Sequence, residues 1–226
     1  MIKIIANSNA LLTKQVNLYY NHTMQGYILN ITQAKNEDLI VHVLTHKRLY
    51  TLYRFYGARH ATINLGYKID FTIEQQLGYL PKLRNITHLG YSWLKNLHKS
   101  LLWQQFIKLL YLHLRDLEDI ESFYMEMLDS LAKKITRQNP KRAIIEEYVK
   151  MLEYEGRLHR DFVCFVCEQP IDEPTLVRSF LPAHTYCVGQ EALSKKRLAY
   201  LFAHKDAQYL DDKEIERLWN IILQGL

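Results

Sequence analysis

Between Gln25 and Thr87 the chain breaks into five short segments rich in β-branched and aromatic residues: GYILNITQA, LIVHVLT, LYTLYRFYG, YKIDFTIE and YLPKLRNIT. Turn residues separate them, so each reads as a strand. Five short strands with tight connections suit a small closed or partly closed barrel, and the oligonucleotide/oligosaccharide-binding (OB) fold is the five-stranded type to expect. Alternation supports the middle strand, where Leu49, Thr51, Tyr53 and Phe55 face one way and Tyr50, Leu52, Arg54 and Tyr56 the other.

After Ser92 the period changes. Trp93, Leu94, Leu97, Leu101, Leu102, Phe106, Leu109, Leu110 and Leu114 recur at helical spacing, and a second amphipathic run covers Asp119 to Ile135. Asn139-Pro140 stops that run, with Pro140 suited to the first turn of a third helix that reaches Tyr154 and closes at Gly156. Two more helices are expected, Gln190 to Ala203 and one capped by Asp211 or Asp212 that runs to Leu223. The chain therefore reads as α+β: an N-terminal five-stranded OB barrel over 24–91, then a helical domain over 92–226 carrying a zinc-ribbon-like module at about 161–190. Residues 1–23 form an N-terminal extension. Met24-Gln25-Gly26 has the form of an ordinary start, which suggests an overextended N-terminus.

That module holds CFVCEQPIDEPTLVRSFLPAHTYC, residues 164 to 187. Cys164 and Cys167 form one short-spaced pair, His184 and Cys187 repeat the spacing, and sixteen residues separate the pairs. Each pair can offer two ligands from one tight turn, so the pattern fits a tetrahedral zinc site. Two other readings compete. A redox Cys-x-x-Cys belongs between a strand and a helix start, a context absent around Phe165-Val166, and the cysteines can also be plain buried thiols. With four protein ligands, three of them thiolates, such a site leaves no position for water, so the metal would be structural.

With 226 residues, 48% of them apolar, the chain can bury a real core. No run of about eighteen apolar residues suggests a membrane span, and MIKIIANSNALL lacks a convincing signal cleavage site. Three cysteines in one short window do not make a disulfide framework, and a reducing cytoplasm fits. The formal net charge of +5 is concentrated: from Met24 to Ser100, ten bases face four acids. Aromatic residues, Arg54, Arg59 and His60 stand together in LYTLYRFYGARHATINLGYKIDF, a combination that suits stacking on bases and pairing with phosphates. Core and cross-strand packing explains the same aromatic residues equally well. No phosphate loop, nucleophile elbow or His-Glu-x-x-His pairing is present, and the ten histidines are dispersed, which argues against an enzyme.

GYILN, KNEDLIVHVLT with its acidic pair Glu37-Asp38, YRFYGARH, YKIDF and YLPKLRNIT, in this order and followed by a helical middle and a late four-ligand module, resemble the RecO family of bacterial recombination and repair mediators. The resemblance implies a non-enzymatic, cytoplasmic and nucleoid-associated protein whose barrel binds single- and double-stranded DNA. It also implies annealing of complementary strands and, with a RecR partner, help in loading the recombinase onto DNA coated by single-strand-binding protein, whose C-terminal tail it would bind. Arg54, Tyr56, Arg59 and His60 lie in the matching signature and are DNA-binding candidates. Charge and position add Lys47, Arg48, Lys68, Lys82 and Arg84. Lys133, Lys134, Arg137, Lys141 and Arg142 form a basic group at a helix junction beside apolar surface, and a solvated charge run explains them equally well. Three departures from the family stand out: Thr45-His46-Lys47-Arg48 lacks the usual glycine turn, one metal ligand is His184 in a family where zinc ligands are not universal, and the helical part is short. An RNA- or ribosome-associated barrel-plus-zinc protein would show the same barrel and basic loop.

Overall fold

The computed structural model describes residues 19–59, 62–117 and 119–226, with Tyr19–His22 described as backbone only. Strands β1 (Tyr19–Gln33), β2 (Leu39–Leu44), β3 (Leu49–Arg54), β4 (Lys68–Glu74) and β5 (Lys82–His88) close a barrel in the order β1-β2-β3-β5-β4. All neighbours are antiparallel except β3 and β5, which meet in parallel at Tyr53 and Lys82. This is the five-stranded OB arrangement that the sequence predicts. Strand β4 shows why it closes: Ile69, Phe71 and Ile73 alternate inward and meet Val41, Val43, Leu52 and Leu83 in the barrel interior.

Strand β1 is long because it pairs with both β2 and β4. Gly26 permits that double pairing, since a Cβ there would lie 2.5 Å from the Leu44 carbonyl oxygen. The fifth segment, by contrast, becomes strand only from Lys82. Pro81 cannot donate to a ladder, so Tyr79 and Leu80 fall in the loop before it. The third segment stops at Arg54, because Tyr56 turns the chain at a φ of +49°. The β2–β3 hairpin needs no glycine. Thr45 Oγ1 accepts from the backbone N–H groups of Lys47 and Arg48, both at 3.3 Å, and donates to the Arg48 carbonyl at 3.0 Å.

Beyond the barrel lie α1 (Leu97–Leu114), α2 (Phe123–Arg137) and α3 (Pro140–Tyr154), then the short hairpin β6 (Pro174–Leu176) and β7 (Pro182–His184). Helices α4 (Thr185–Val188), α5 (Lys195–His204) and α6 (Asp212–Ile222) follow. Asn96 caps α1 by accepting from Lys99 N–H, Asn139 caps α3 ahead of Pro140, and Asp211, not Asp212, caps α6 in a reciprocal box with Glu214. Helix α2 starts four residues later than expected from Asp119. Helix α5 starts at Lys195 rather than Gln190, because Gly189 ends α4 in the left-handed region at a φ of +67°.

A second core begins on the outer face of the barrel. Tyr27, Leu29 and Leu44 pack there with Trp103, Phe106 and Leu110 of α1, and the same apolar mass continues through α2, α3, the cysteine module, α5 and α6. Trp103 Nε1 donates to the Gly66 carbonyl at 2.9 Å, and a Cβ on Gly66 would collide with that indole. Barrel and helices are thus joined through shared buried side chains. Among the described residues, no helix is long and apolar enough to cross a membrane.

Candidate nucleic-acid interface and metal centre

The acidic pair Glu37-Asp38 organises the loop that carries the signature. Asp38 Oδ2 accepts from the Tyr53 hydroxyl at 2.6 Å and Oδ1 from the Tyr56 backbone N–H at 2.7 Å, which pins the end of β3 against the start of β2. Both bonds favour the ionised form, the Tyr53 hydroxyl most, and hold the Asp38 carboxyl below its ordinary range. Next to it, the Glu37 carbonyl accepts from Ala58 N–H at 3.0 Å and the Glu37 carboxylate pairs with Arg59. Tyr56 and Arg59 are exposed on this loop, with the guanidinium 5.5 Å from the Tyr56 ring centroid. His60 lies outside the described residues.

Across the β3–β5 contact, Lys82 and Arg84 flank Phe55. Lys82 Nζ is 5.4 Å and Arg84 Cζ 5.8 Å from the Phe55 ring centroid. Glu74 of β4 holds both cations, at 2.7 Å from Arg84 Nε and 3.6 Å from Lys82 Nζ. The Arg84 hydrogen bond keeps the Glu74 carboxyl low. Lys47 and Arg48 are exposed at the far end of the β2–β3 hairpin. There Arg48 Cζ sits 4.6 Å over the Tyr50 ring, and both cations line a groove of about 570 Å³ with Met24, Tyr50 and Gln75.

Two candidates have other roles. Arg54 shares the inward parity of Leu52; its half-buried guanidinium donates to the Leu83 carbonyl at 3.1 Å and ties β3 to β5. Lys68 turns toward the helices, where its ammonium meets Asp129 Oδ1 at 2.7 Å. The same oxygen accepts from the Tyr27 hydroxyl at 2.7 Å, and Tyr27 in turn meets Tyr91. Charge counted along the sequence does not distinguish a cation on the rim from one under the helical domain. Sequence patterning does not single out Phe55, Tyr79 and Leu80, which are exposed in and beside the loop from Gln75 to Pro81. Phe55 at a strand end and Tyr79 next to Gly78 were the available signals.

In the cysteine module the four donors of Cys164, Cys167, His184 and Cys187 lie within 4.8 Å of one another and form a group that can hold a metal ion. The backbone builds it. Cys164 N–H donates to the Gln169 carbonyl at 2.9 Å, Glu168 N–H donates back to the Cys164 carbonyl at 2.8 Å, and Phe165 N–H crosses to the Pro182 carbonyl at 3.0 Å. His184 Nε2 is 3.1 Å from the Pro170 carbonyl oxygen, which can only accept. That contact places the proton on Nε2 and leaves the Nδ1 lone pair toward Cys167 Sγ at 3.3 Å. Burial would raise the Cys164 thiol, yet N–H groups of Cys167, His184 and Val166 bring it down to about 6. Burial and the neighbouring thiols push Cys187 up to about 11. Three thiols gathered beside an imidazole with a free lone pair are the donor set that a divalent soft-ligand cation satisfies.

Residues 24–94 match the family model described as RecO N terminal. The similarity to the RecO family is carried by this N-terminal domain. No curated protein matches the chain significantly. The matched stretch contains the whole closed barrel after Met24 together with both cationic rims.

Proposed function

We propose that this chain is a DNA-binding recombination and repair mediator. In this role it anneals complementary strands and helps to load the recombinase onto DNA coated by single-strand-binding protein. The observation that carries the reading is the barrel rim of a RecO N-terminal domain, where Arg59, Lys82 and Arg84 lie among exposed aromatic rings. Cations there neutralise phosphates, and rings accept bases that have left a duplex. Two strands held with their repulsion reduced anneal faster. The action is binding rather than catalysis, in the bacterial cytoplasm at the nucleoid. The hairpin cations Lys47 and Arg48 offer a second basic patch at the other end of the β2–β3 hairpin, and His60 remains a candidate from the sequence.

The cysteine module holds a structural zinc ion through Cys164, Cys167, His184 and Cys187, and so ties the Cys164–Cys167 knuckle to the end of β7 and to α4. A RecR-like protein and the acidic C-terminal tail of single-strand-binding protein are the proposed partners. For the tail, Lys133 and Arg137 are the cations of their basic group that form no ion pair among the described residues. Lys134 is taken by Glu146 and Glu147, Lys141 by Glu216, and Arg142 by the Ala207 and Leu210 carbonyls and Asp212.

Annealing of two complementary oligonucleotides by the purified chain, with and without a cognate single-strand-binding protein, tests this reading. Acceleration that persists on coated strands, and is lost when the coating protein lacks its tail, is expected. No acceleration on naked DNA overturns it, and tighter binding to RNA than to DNA of the same sequence would replace it with the ribosome-associated alternative.

A further inference from the structure

Beside the cation pair lies a cleft of about 520 Å³ whose walls include Tyr53, Phe55, Tyr79, Leu80 and Lys82. Its two sides differ in rigidity. Tyr53 is fixed by its hydroxyl on Asp38 and meets Phe55 edge-on at 4.9 Å between ring centroids, so the Phe55 ring is braced from beneath. Tyr79 and Leu80 belong to the loop around Gly78, a residue at a φ of +80° with open space about it. Tyr79 is 72% exposed, Phe55 40% and Leu80 43%, although each has the side chain of a core residue. Apolar rings gathered around a cleft, and not covered by any of the described residues, mark a binding surface. What they bind is restricted by Lys82 and Arg84, which stand 5.4 and 5.8 Å from the Phe55 ring centroid: an occupant that is flat, aromatic and attached to an anion satisfies both rings and cations.

We propose that this cleft takes one unpaired nucleobase, stacked on Phe55 and covered by Tyr79, while Lys82 and Arg84 hold the adjoining phosphate. The inference rests on the nucleic-acid reading above and assigns to Phe55 and Tyr79 a role that no charge count reveals. A base inside a duplex has both faces covered by its neighbours and cannot enter. The cleft therefore recognises a chemical state of the strand, an exposed base face, rather than a sequence.

The test compares binding of the full chain to a short oligothymidylate and to an abasic strand of the same length and charge, by fluorescence anisotropy. The native protein is expected to prefer the thymidylate by about tenfold, in line with stacking on aromatic rings. Tyr79→Ala, on an exposed loop, and Phe55→Leu, which keeps an apolar side chain, should each bring thymidylate binding down toward the abasic value, so that the ratio between the two strands falls toward one. Thermal melts of both variants check that the barrel is intact. Equal affinity of the native chain for the two strands overturns the cleft while leaving DNA binding in place, as do variants that weaken both strands alike. Failure to bind either strand overturns the cleft together with the DNA-binding reading.

Discussion

The metal module and the barrel rim are both small sets of polar side chains on irregular backbone, and they are built in opposite ways. In the module, four donors come from two short-spaced pairs and converge within 4.8 Å, positioned by backbone hydrogen bonds inside the same knuckles. On the rim, cations come from β5 and from the turn after β3, and each is held by a carboxylate that a phosphate can displace. One set is closed on itself. The other is open along the rim, with an exposed ion pair at Arg59 and half-buried ones at Glu74.

The comparison breaks most visibly if the module is dispensable. Cys164 is fully buried, and its sulfur accepts the His184 backbone N–H at 3.4 Å, so Cys164→Ser removes both a metal ligand and part of the knuckle. Calorimetry should show Tm falling by about 10 °C, with loss of bound zinc, since metal binding there is part of the folding free energy. DNA affinity of the barrel, measured well below that Tm, should hardly change. A variant that melts like the native chain would make the module an ornament rather than a support.

A smaller effect is expected behind the module, at Glu155. Burial would raise its carboxyl, but hydrogen bonds from His113 at 2.7 Å, Arg157 at 2.7 Å and Tyr124 at 2.9 Å hold it below the ordinary range. A carboxyl depressed in the folded state stabilises it above the unfolded pKa, and that contribution is lost as pH falls through the folded value. Glu155→Gln should cost about 2 kcal/mol near pH 7, and the gap to the native chain should close below about pH 4 in denaturant titrations. A gap that stays constant with pH would mean that shape, not charge, is what Glu155 supplies.

These contrasts explain what the sequence made legible. Local spacing alone brought Cys164, Cys167, His184 and Cys187 together, and alternation in YKIDFTIE placed Ile69, Phe71 and Ile73 inside a barrel. Neither needs knowledge of a distant partner. The rim depends on the parallel contact between Tyr53 and Lys82, which sets β5 cations over Phe55. No local pattern encodes that contact. Lys68 shows the same limit from the other side, because Asp129, sixty-one positions away, decides that it joins the two halves of the molecule. The Thr45 turn succeeded without glycine for a further reason: a side-chain hydroxyl can do what backbone permissiveness does elsewhere.

The rim itself is tested by charge. Replacing Lys82 and Arg84 together with alanine should weaken DNA binding by about tenfold and flatten its salt dependence by close to two phosphate contacts. The opposite and smallest change is expected at Glu74. Its carboxylate holds Arg84 Nε at 2.7 Å and lies 3.6 Å from Lys82 Nζ, where an incoming phosphate must compete with it. Glu74→Gln keeps the shape and removes the charge, so DNA should bind tighter by about twofold to fivefold at low salt, with the gain fading as salt screens the competing pair. Weaker binding by this variant would show that Glu74 matters more for aiming the two cations than for occupying them. The rim would then resemble the metal module, a preformed constellation that loses its shape when one member is removed.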